Sequence, residues 1–302
     1  MMASMTASVF IAGPASWNSI VVLDRLPEPL PHMQFAETTW ETVGGTSAGK
    51  ALSLAALGRE SVLYALSADD EPGRRVRDAL DAAGIRVRWQ RADATERHLN
   101  LMTRRGERVS LYLSSPSATA GEHDDDLVAA MTAADALVLD LAAEPLRLLP
   151  AARSTGTPIW VDVHDYDGEA DFHRPFLDAA DAVFCNADGL ADPVAFLRDR
   201  IRRGASLAVC TLGAQGAVAV DADGVEHRVA AVPVEVVDTN GAGDAFFAGV
   251  LDARLAGLDV PAALAAGARS ASTALGSRHL HPLLDDALDG GPEDPGGKRS
   301  EA

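Results

Sequence analysis

The sequence predicts an α/β domain of three layers, with helices on both faces of a mostly parallel central sheet, and two observations carry that prediction. Short apolar runs bounded by small or polar residues recur along the chain, and alanine- and leucine-rich segments of helical spacing separate them. The strand-like runs are residues 9–12, 136–139, 159–163, 182–185, 207–211 and 217–220, and the clearest helical segments are 48–57, 73–83 and 193–203. A chain of 302 residues, 47% hydrophobic and 23% charged, has enough apolar surface for one large core.

Two stretches break the alternation. Residues 20–43 are rich in Thr, Val and Trp and interrupted by Pro27, Pro29 and Pro31. Residues 98–113 alternate apolar and polar positions on either side of a turn at Gly106, a hairpin signal. Both read as antiparallel β-structure added to the parallel sheet. They predict a small β-lid, from about 20–43 and 96–114, inserted in a single domain over 1–285. Polar lid residues such as His98 and Asn100 are then candidates to face a cleft, and a solvated edge hairpin is the plainer alternative. The tail over 286–302, rich in Gly, Pro and acid, predicts disorder.

Charge and cysteine content narrow the function classes. Lys and Arg number 26 against 44 for Asp and Glu, a net charge of -18, which leaves no electrostatic footprint for nucleic acid or an anionic membrane. Cys185 and Cys210 lie in apolar strand runs and read as core packing. With no basic leader and no run of about 18 apolar residues, the expected location is cytoplasmic.

The segment Asp238-Thr239-Asn240-Gly241-Ala242-Gly243-Asp244 carries the chemistry. A strand-like run ends at Asp238, small residues follow, and a helical pattern begins near Gly243. The first amides of a helix have no intrahelical partners, and the helix dipole adds positive charge there. Gly241, Ala242 and Gly243 are small enough to let an anion reach those amides. Asp244, in the first turn, is placed to accept a proton from an attacking hydroxyl while the amides neutralise a transferring phosphoryl group. The same residues also read as an ordinary helix start in which Asp244 complements the dipole.

That segment resembles the C-terminal signature Asp-Thr-x-Gly-Ala-Gly-Asp of the ribokinase-like (PfkB) carbohydrate kinases. The resemblance implies that Gly241, Ala242 and Gly243 form an anion hole, that Asp244 is the catalytic base, and that Asp238 and Thr239 lie near a potassium-type cation site in members that use one. It runs over most of the chain. Val43-Gly44-Gly45-Thr46-Ser47-Ala48-Gly49-Lys50 is similar to the family's N-terminal signature, and Asp69-Asp70-Glu71-Pro72-Gly73 to its Asp-Asp-x-x-Gly turn. Asn186 and the Thr211-Leu212-Gly213-Ala214-Gln215-Gly216 loop resemble its nucleotide-binding positions. The implied nucleotide contacts are therefore Asn186, Thr211, Gly213 and Gly216. The implied substrate contacts are Ser16, Asn18, Gly44, Gly45, Thr46, Gly49 and Asp244.

Several positions depart from the family's pattern. Asn18 stands where an aspartate usually grips substrate hydroxyls, and Gly49 where an asparagine usually follows the diglycine. Gly189 stands where an acid is usual, with Asp188 beside it as a candidate to hold magnesium-bound water, and Gln215 replaces a common basic residue. These departures bear on the substrate more than on the reaction. Gly44-Gly45-Thr46-Ser47-Ala48-Gly49-Lys50 also fits the start of a phosphate-binding P-loop, but Ala51 supplies no hydroxyl for magnesium. His164 and Asp165, at the end of a strand run, read either as ligand contacts or as caps of the next element.

The expectation is an ATP-dependent kinase acting on a hydroxyl of a small sugar-like substrate, using ATP, Mg2+ and, in the cation-using case, K+. A nucleoside kinase of the same family and a catalytically silent ligand-binding protein are the alternatives. The expected partners are small molecules and a second copy of the chain docked through the lid.

Overall fold

The structure, a computed structural model, describes residues 8–117 and 124–290. In chain order the strands are β1 (Val9–Ala12), β2 (Ser16–Leu23), β3 (Thr38–Gly44), β4 (Ser61–Ser67), β5 (Val87–Arg91), β6 (Glu96–Thr103), β7 (Arg108–Ser114), β8 (Ala136–Leu139), β9 (Ile159–Asp162), β10 (Ala182–Asn186), β11 (Leu207–Thr211), β12 (Ala217–Asp221) and β13 (Glu226–Val229). The helices are α1 (Thr46–Ala56), α2 (Glu71–Ala82), α3 (Asp124–Ala133), α4 (Ala143–Thr155), α5 (Arg174–Ala179), α6 (Pro193–Arg202), α7 (Ala242–Leu255), α8 (Val260–Ala274) and α9 (Asp285–Asp289).

Nine strands form the large sheet, in the order β13-β12-β11-β10-β9-β8-β1-β4-β5. Pairing is parallel from β5 to β11 and antiparallel at β11-β12 and β12-β13. Apolar residues fill both faces, as a sheet covered by helices on both sides requires. In β1, Val9 and Ile11 join a core shared with α1, α2, α7 and α8, while Phe10 and Ala12 join one shared with α3, α4, α5 and α6. Three of the helices start on side chains that satisfy their first amides. Asp70, Asp192 and Asp259 each accept from the backbone N–H three residues on, with proline in the first positions of the helix. The Asp-Asp-x-x-Gly turn is thus the N-cap of α2.

After β1 the chain adds strands on one side (β4, β5) and then on the other (β8 onward). The C-terminal ends of β1 and β8 therefore flank a topological switch point, where open α/β sheets form a crevice. Ala12, Asp140, Asp162, Asn186 and Thr211 all stand at or just beyond such ends.

The two inserted segments form a separate four-stranded sheet, ordered β3-β2-β6-β7, rather than extending the parallel one. Its central pair, β2 and β6, is parallel, and the outer pairs are antiparallel. The first insert begins at Ser16, before the position its composition predicts, because the short Gly13-Pro14-Ala15 link leads directly into β2. Trp40 Nε1 donates to the Arg278 carbonyl (3.1 Å) and Arg108 to Asn240 Oδ1 (2.8 Å), which ties this sheet down over the end of the large one.

Two further sequence expectations are corrected. The run before Asp238 is not a strand: residues 234–237 are irregular and largely exposed, and Val237 N–H bonds to the Leu275 carbonyl instead of to a ladder. Disorder does not begin at 286 either, because α9 is held to the body by bonds from Ser277 to Asp285 and from Arg278 and His279 to Asp289. The rest of that tail, 291–302, lies outside the described residues. Leu137 sits fully buried in β8, in the core beneath the switch point. Leu137→Ala is expected to cost about 2–5 kcal/mol, read as a lower urea midpoint with an unchanged denaturant slope.

Candidate active site

Helix α7 starts at Gly241, whose φ of 78° is left-handed and whose added β-carbon would meet the Leu280 carbonyl at 2.4 Å. Glycine is required there by both conformation and space. Two residues on the situation reverses: a β-carbon on Gly243 would meet nothing within 4 Å. The space beside Gly243 is therefore open, while Gly241 at the same turn lies against the Leu280 carbonyl. Asp244 follows, 7% exposed, in the wall of a cavity of about 540 Å³ between the two sheets.

The electrostatic centre of this wall is Lys50 on α1, which is fully buried. Its Nζ lies 2.8 Å from Asp244 Oδ1, 2.9 Å from Asp140 Oδ1 and 3.6 Å from Asp162 Oδ2, and 5.0 Å from the centre of the Phe247 ring. Asp140 also accepts from Ser47 Oγ at 2.6 Å. Burial works against the ammonium, but the carboxylates of Asp140, Asp244 and Asp162 outweigh it and hold Lys50 charged, above the usual lysine range. Burial pushes the Asp244 carboxyl up to about 6, against the pull of Lys50 and His164 and with a further push from Asp140. Asp162 goes the other way, since His164 and Lys50 together overcome its burial and hold it below the ordinary range.

The rest of the cavity mixes apolar walls, among them Ile20, Leu66, Leu141 and Phe172, with polar groups. From the small sheet come Asn18, Glu96, His98, Asn100 and Arg108, from α4 Glu144, and from the loop after β9 His164 and Asp165. His98 is fixed by Glu96 Oε1 (2.9 Å) and by the Tyr112 ring, whose centre is 4.0 Å away. Asn100 Oδ1 is buried without a hydrogen-bond partner, an unmet acceptor in the cavity wall. His164 is the one residue other than glycine with positive φ (51°) among those described. Asp162 holds its backbone N–H at 2.9 Å, so the strain serves to present this side chain at the cavity.

Of the residues singled out from the sequence, Asn18, Gly44, Gly45, Thr46, Gly241 and Asp244 line the cavity. Gly44 lies beneath the Asn18 amide, which a β-carbon would strike at 2.0 Å. Ser16 and Gly49 do not line it. Ser16 is fully buried and donates to Asn18 Oδ1 (2.8 Å), and Gly49 packs against Asp244. The P-loop alternative is excluded, because a fully buried, ion-paired Lys50 cannot reach a phosphate. Asn186 and Thr211 are neighbours at the ends of β10 and β11, and Gly213 and Gly216 shape the turn into β12. These four lie along the sheet edge outside the cavity; at Gly216 a β-carbon would come 1.9 Å from the Val229 carbonyl. Asp238 is buried with Oδ1 accepting from Asn240 and Oδ2 unpartnered, whereas Thr239 is exposed.

Two departures from the family pattern have steric causes. A β-carbon at Gly189 would lie 2.6 Å from the Asp165 carbonyl, so an acid does not fit there. One at Gly49 would lie 2.7 Å from Asp244 Oδ2. Asp140 and Asp162, which meet Lys50 together with Asp244, were missed from the sequence, although a signal existed. Asp140 and Asp162 each end a purely apolar strand run, and Lys50 interrupts the apolar stripe of α1. A lysine on a buried stripe demands buried counter-charges, and carboxylates at neighbouring strand ends supply them.

The pattern that defines the pfkB family carbohydrate kinases matches residues 26–285. Among curated proteins, the chain is 34% identical over 272 residues to an acarbose 7(IV)-phosphotransferase of Actinoplanes sp., covering 86% of this chain and 89% of that one. It is 30% identical over 279 residues to a fructokinase of Klebsiella pneumoniae, covering 80% and 90%. Among solved structures, a microbiome-derived acarbose kinase superposes with a TM-score of 0.78 at 29% identity, covering 95% of this chain and all (100%) of that one.

Removing one partner of a buried ion cluster strands the others. Lys50→Met is expected to destabilise the fold by about 3–5 kcal/mol, measured by urea unfolding at neutral pH, with the loss shrinking at a pH low enough to protonate the aspartates.

Proposed function

This chain belongs to the pfkB family of carbohydrate kinases, and from that premise we propose that it phosphorylates a hydroxyl of an acarbose-like, multi-ring sugar, with Asp244 as the base and Gly241, Ala242 and Gly243 as the anion hole. The observation that carries the reading is a buried carboxylate in the first turn of α7, next to Gly243 whose β-carbon position is open, in the wall of a large cavity that presents polar groups from both the lid and the main body. The reaction needs those groups side by side. The acceptor hydroxyl gives its proton to Asp244 as its oxygen bonds to the γ-phosphorus of ATP, and the bond from that phosphorus to the ADP oxygen breaks. The amides of the first turn meet the charge on the phosphoryl oxygens.

The substrate class rests on two supports. Both a curated relative and a solved structural neighbour carry acarbose in their names. The cavity of about 540 Å³ is lined on the lid side by Asn18, His98, Asn100 and Tyr112, side chains suited to several hydroxyls and a ring face. Asn186 and Asp188 would lie beside the nucleotide phosphates and water that hold magnesium, which would supply charge neutralisation. The unpartnered Asp238 Oδ2 fits a bound potassium ion, with the acidity of Asp238 weakened by burial in its absence. A homodimer through the lid is supported by β7, an edge strand that leaves Leu111 and Leu113 exposed at 44% and 49%.

Asp244→Asn is expected to lower kcat by about 10²–10⁴-fold, measured as ADP release from magnesium-ATP with acarbose, fructose, ribose and inosine as acceptors. A base must be ionised, so kcat/KM should rise with pH through about 6 and then level off. Turnover of inosine alone would replace the sugar assignment with a nucleoside one, and full activity in Asp244→Asn would remove the base. Leu111→Asp should shift the native protein from dimer to monomer in sedimentation; an unchanged mass would refute the lid interface.

A further inference from the structure

We propose that Lys50 is a positioning residue for the base: by holding Asp244 Oδ1 it fixes the charge and orientation of the carboxylate and leaves Oδ2 to take the proton of the acceptor hydroxyl. The proposal rests on the reading of Asp244 as base, and three observations carry it.

The first is the contact itself, 2.8 Å between Lys50 Nζ and Asp244 Oδ1, made by a lysine with no solvent exposure. A buried ammonium held on three sides cannot wander, so the carboxylate it grips is fixed too. The second is Gly49. A β-carbon there would stand 2.7 Å from Oδ2 and 3.0 Å from the β-carbon of Asp244. Any larger residue, including the asparagine usual at this position, would meet the Asp244 carboxylate too closely for it to keep this placement. Gly49 and Lys50 are therefore one device: glycine makes the room and lysine holds what enters it.

The third is the balance of charge. Asp244 is faced by Lys50 from α1, by Asp140 beyond β8 and by His164 after β9, while Asp162 at the end of β9 meets Lys50 and His164. From the small sheet, Glu96, His98 and Arg108 line the same cavity, as does Arg278. Without Lys50, a buried carboxylate would sit beside Asp140 with no ammonium to offset its burial, which favours the protonated form. A protonated Asp244 cannot act as a base. Lys50 keeps its own proton throughout: the hydroxyl proton goes to Oδ2, the hydroxyl oxygen bonds to the γ-phosphorus, and ADP leaves with the electron pair of the broken P–O bond.

The test reads Asp244 directly. Aspartate carboxyls are labelled with carbon-13 in the full chain and titrated by NMR, and the Asp244 signal is the one absent from Asp244→Asn. Lys50→Gln should raise its midpoint by at least about one pH unit, a tenfold change in the ionised fraction at a given pH. Asp140→Asn, which removes a surplus carboxylate and so avoids the folding cost of losing Lys50, should lower it. Lys50→Arg should stay nearer the native value than Lys50→Gln. In kcat/KM with magnesium-ATP and acarbose, the acid limb should follow the same directions, so that Lys50→Gln is weakest at neutral pH and recovers part of its loss as pH rises. Midpoints that stay put in both Lys50→Gln and Asp140→Asn, while Asp244→Asn abolishes turnover, would overturn the role of Lys50 and leave the base in place. Undiminished turnover in Asp244→Asn would overturn the base itself, whatever the midpoints do.

Discussion

One buried cation organises the functional end of this molecule. Lys50 enters from α1 and meets carboxylates from the ends of β8 and β9 and from the first turn of α7. Ions of one sign buried together are costly unless an opposite charge sits among them. The three elements that carry the aspartates therefore dock on the helix that carries the lysine. Their placement fixes where α7 points its open N-terminus and where the cavity lies. Phe247, one turn into α7, closes the cluster on its apolar side with its ring near Nζ and against Trp160 and Phe184.

The cost of this arrangement falls on Asp244, whose proton affinity is raised by burial and by Asp140. A carboxyl with a midpoint near 6 is a stronger base than an exposed one and is still mostly ionised at neutral pH, which is the compromise general-base catalysis favours. The small sheet completes the site from above. Its register places Asn18, His98 and Tyr112 across adjacent strands, so polar groups and an aromatic ring are presented together on one face of a short sheet.

Much of the fold could be read from the sequence because its signals are local. The strands of the parallel sheet are apolar runs buried on both faces, and the helices between them have strong propensity and aspartate caps. The Gly-Ala-Gly-Asp turn was legible for the same reason: a glycine at φ 78° and an acid in the first turn are neighbours in sequence. What could not be read was non-local. The apolar character of residues 234–237 suggested a strand, yet no partner strand lies alongside and the segment runs exposed. The lid segments looked like edge additions because their alternation does not reveal which strands they pair with. The lysine cluster joins residues separated by up to 194 positions, so Asp140 and Asp162 did not stand out and nothing local tied Asp244 to Lys50. Gly49 appeared as a lost substrate contact, and only the packing shows it as room for Asp244.

The account is tested most directly by a crystal structure of the protein with acarbose and a non-hydrolysable ATP analogue with magnesium. It predicts one acceptor hydroxyl within hydrogen-bond distance of Asp244 Oδ2, the γ-phosphate over the first turn of α7 at Gly243, and Lys50 still on Oδ1. A sugar seated with its hydroxyls away from Asp244, or a phosphate contacting Lys50, would contradict it.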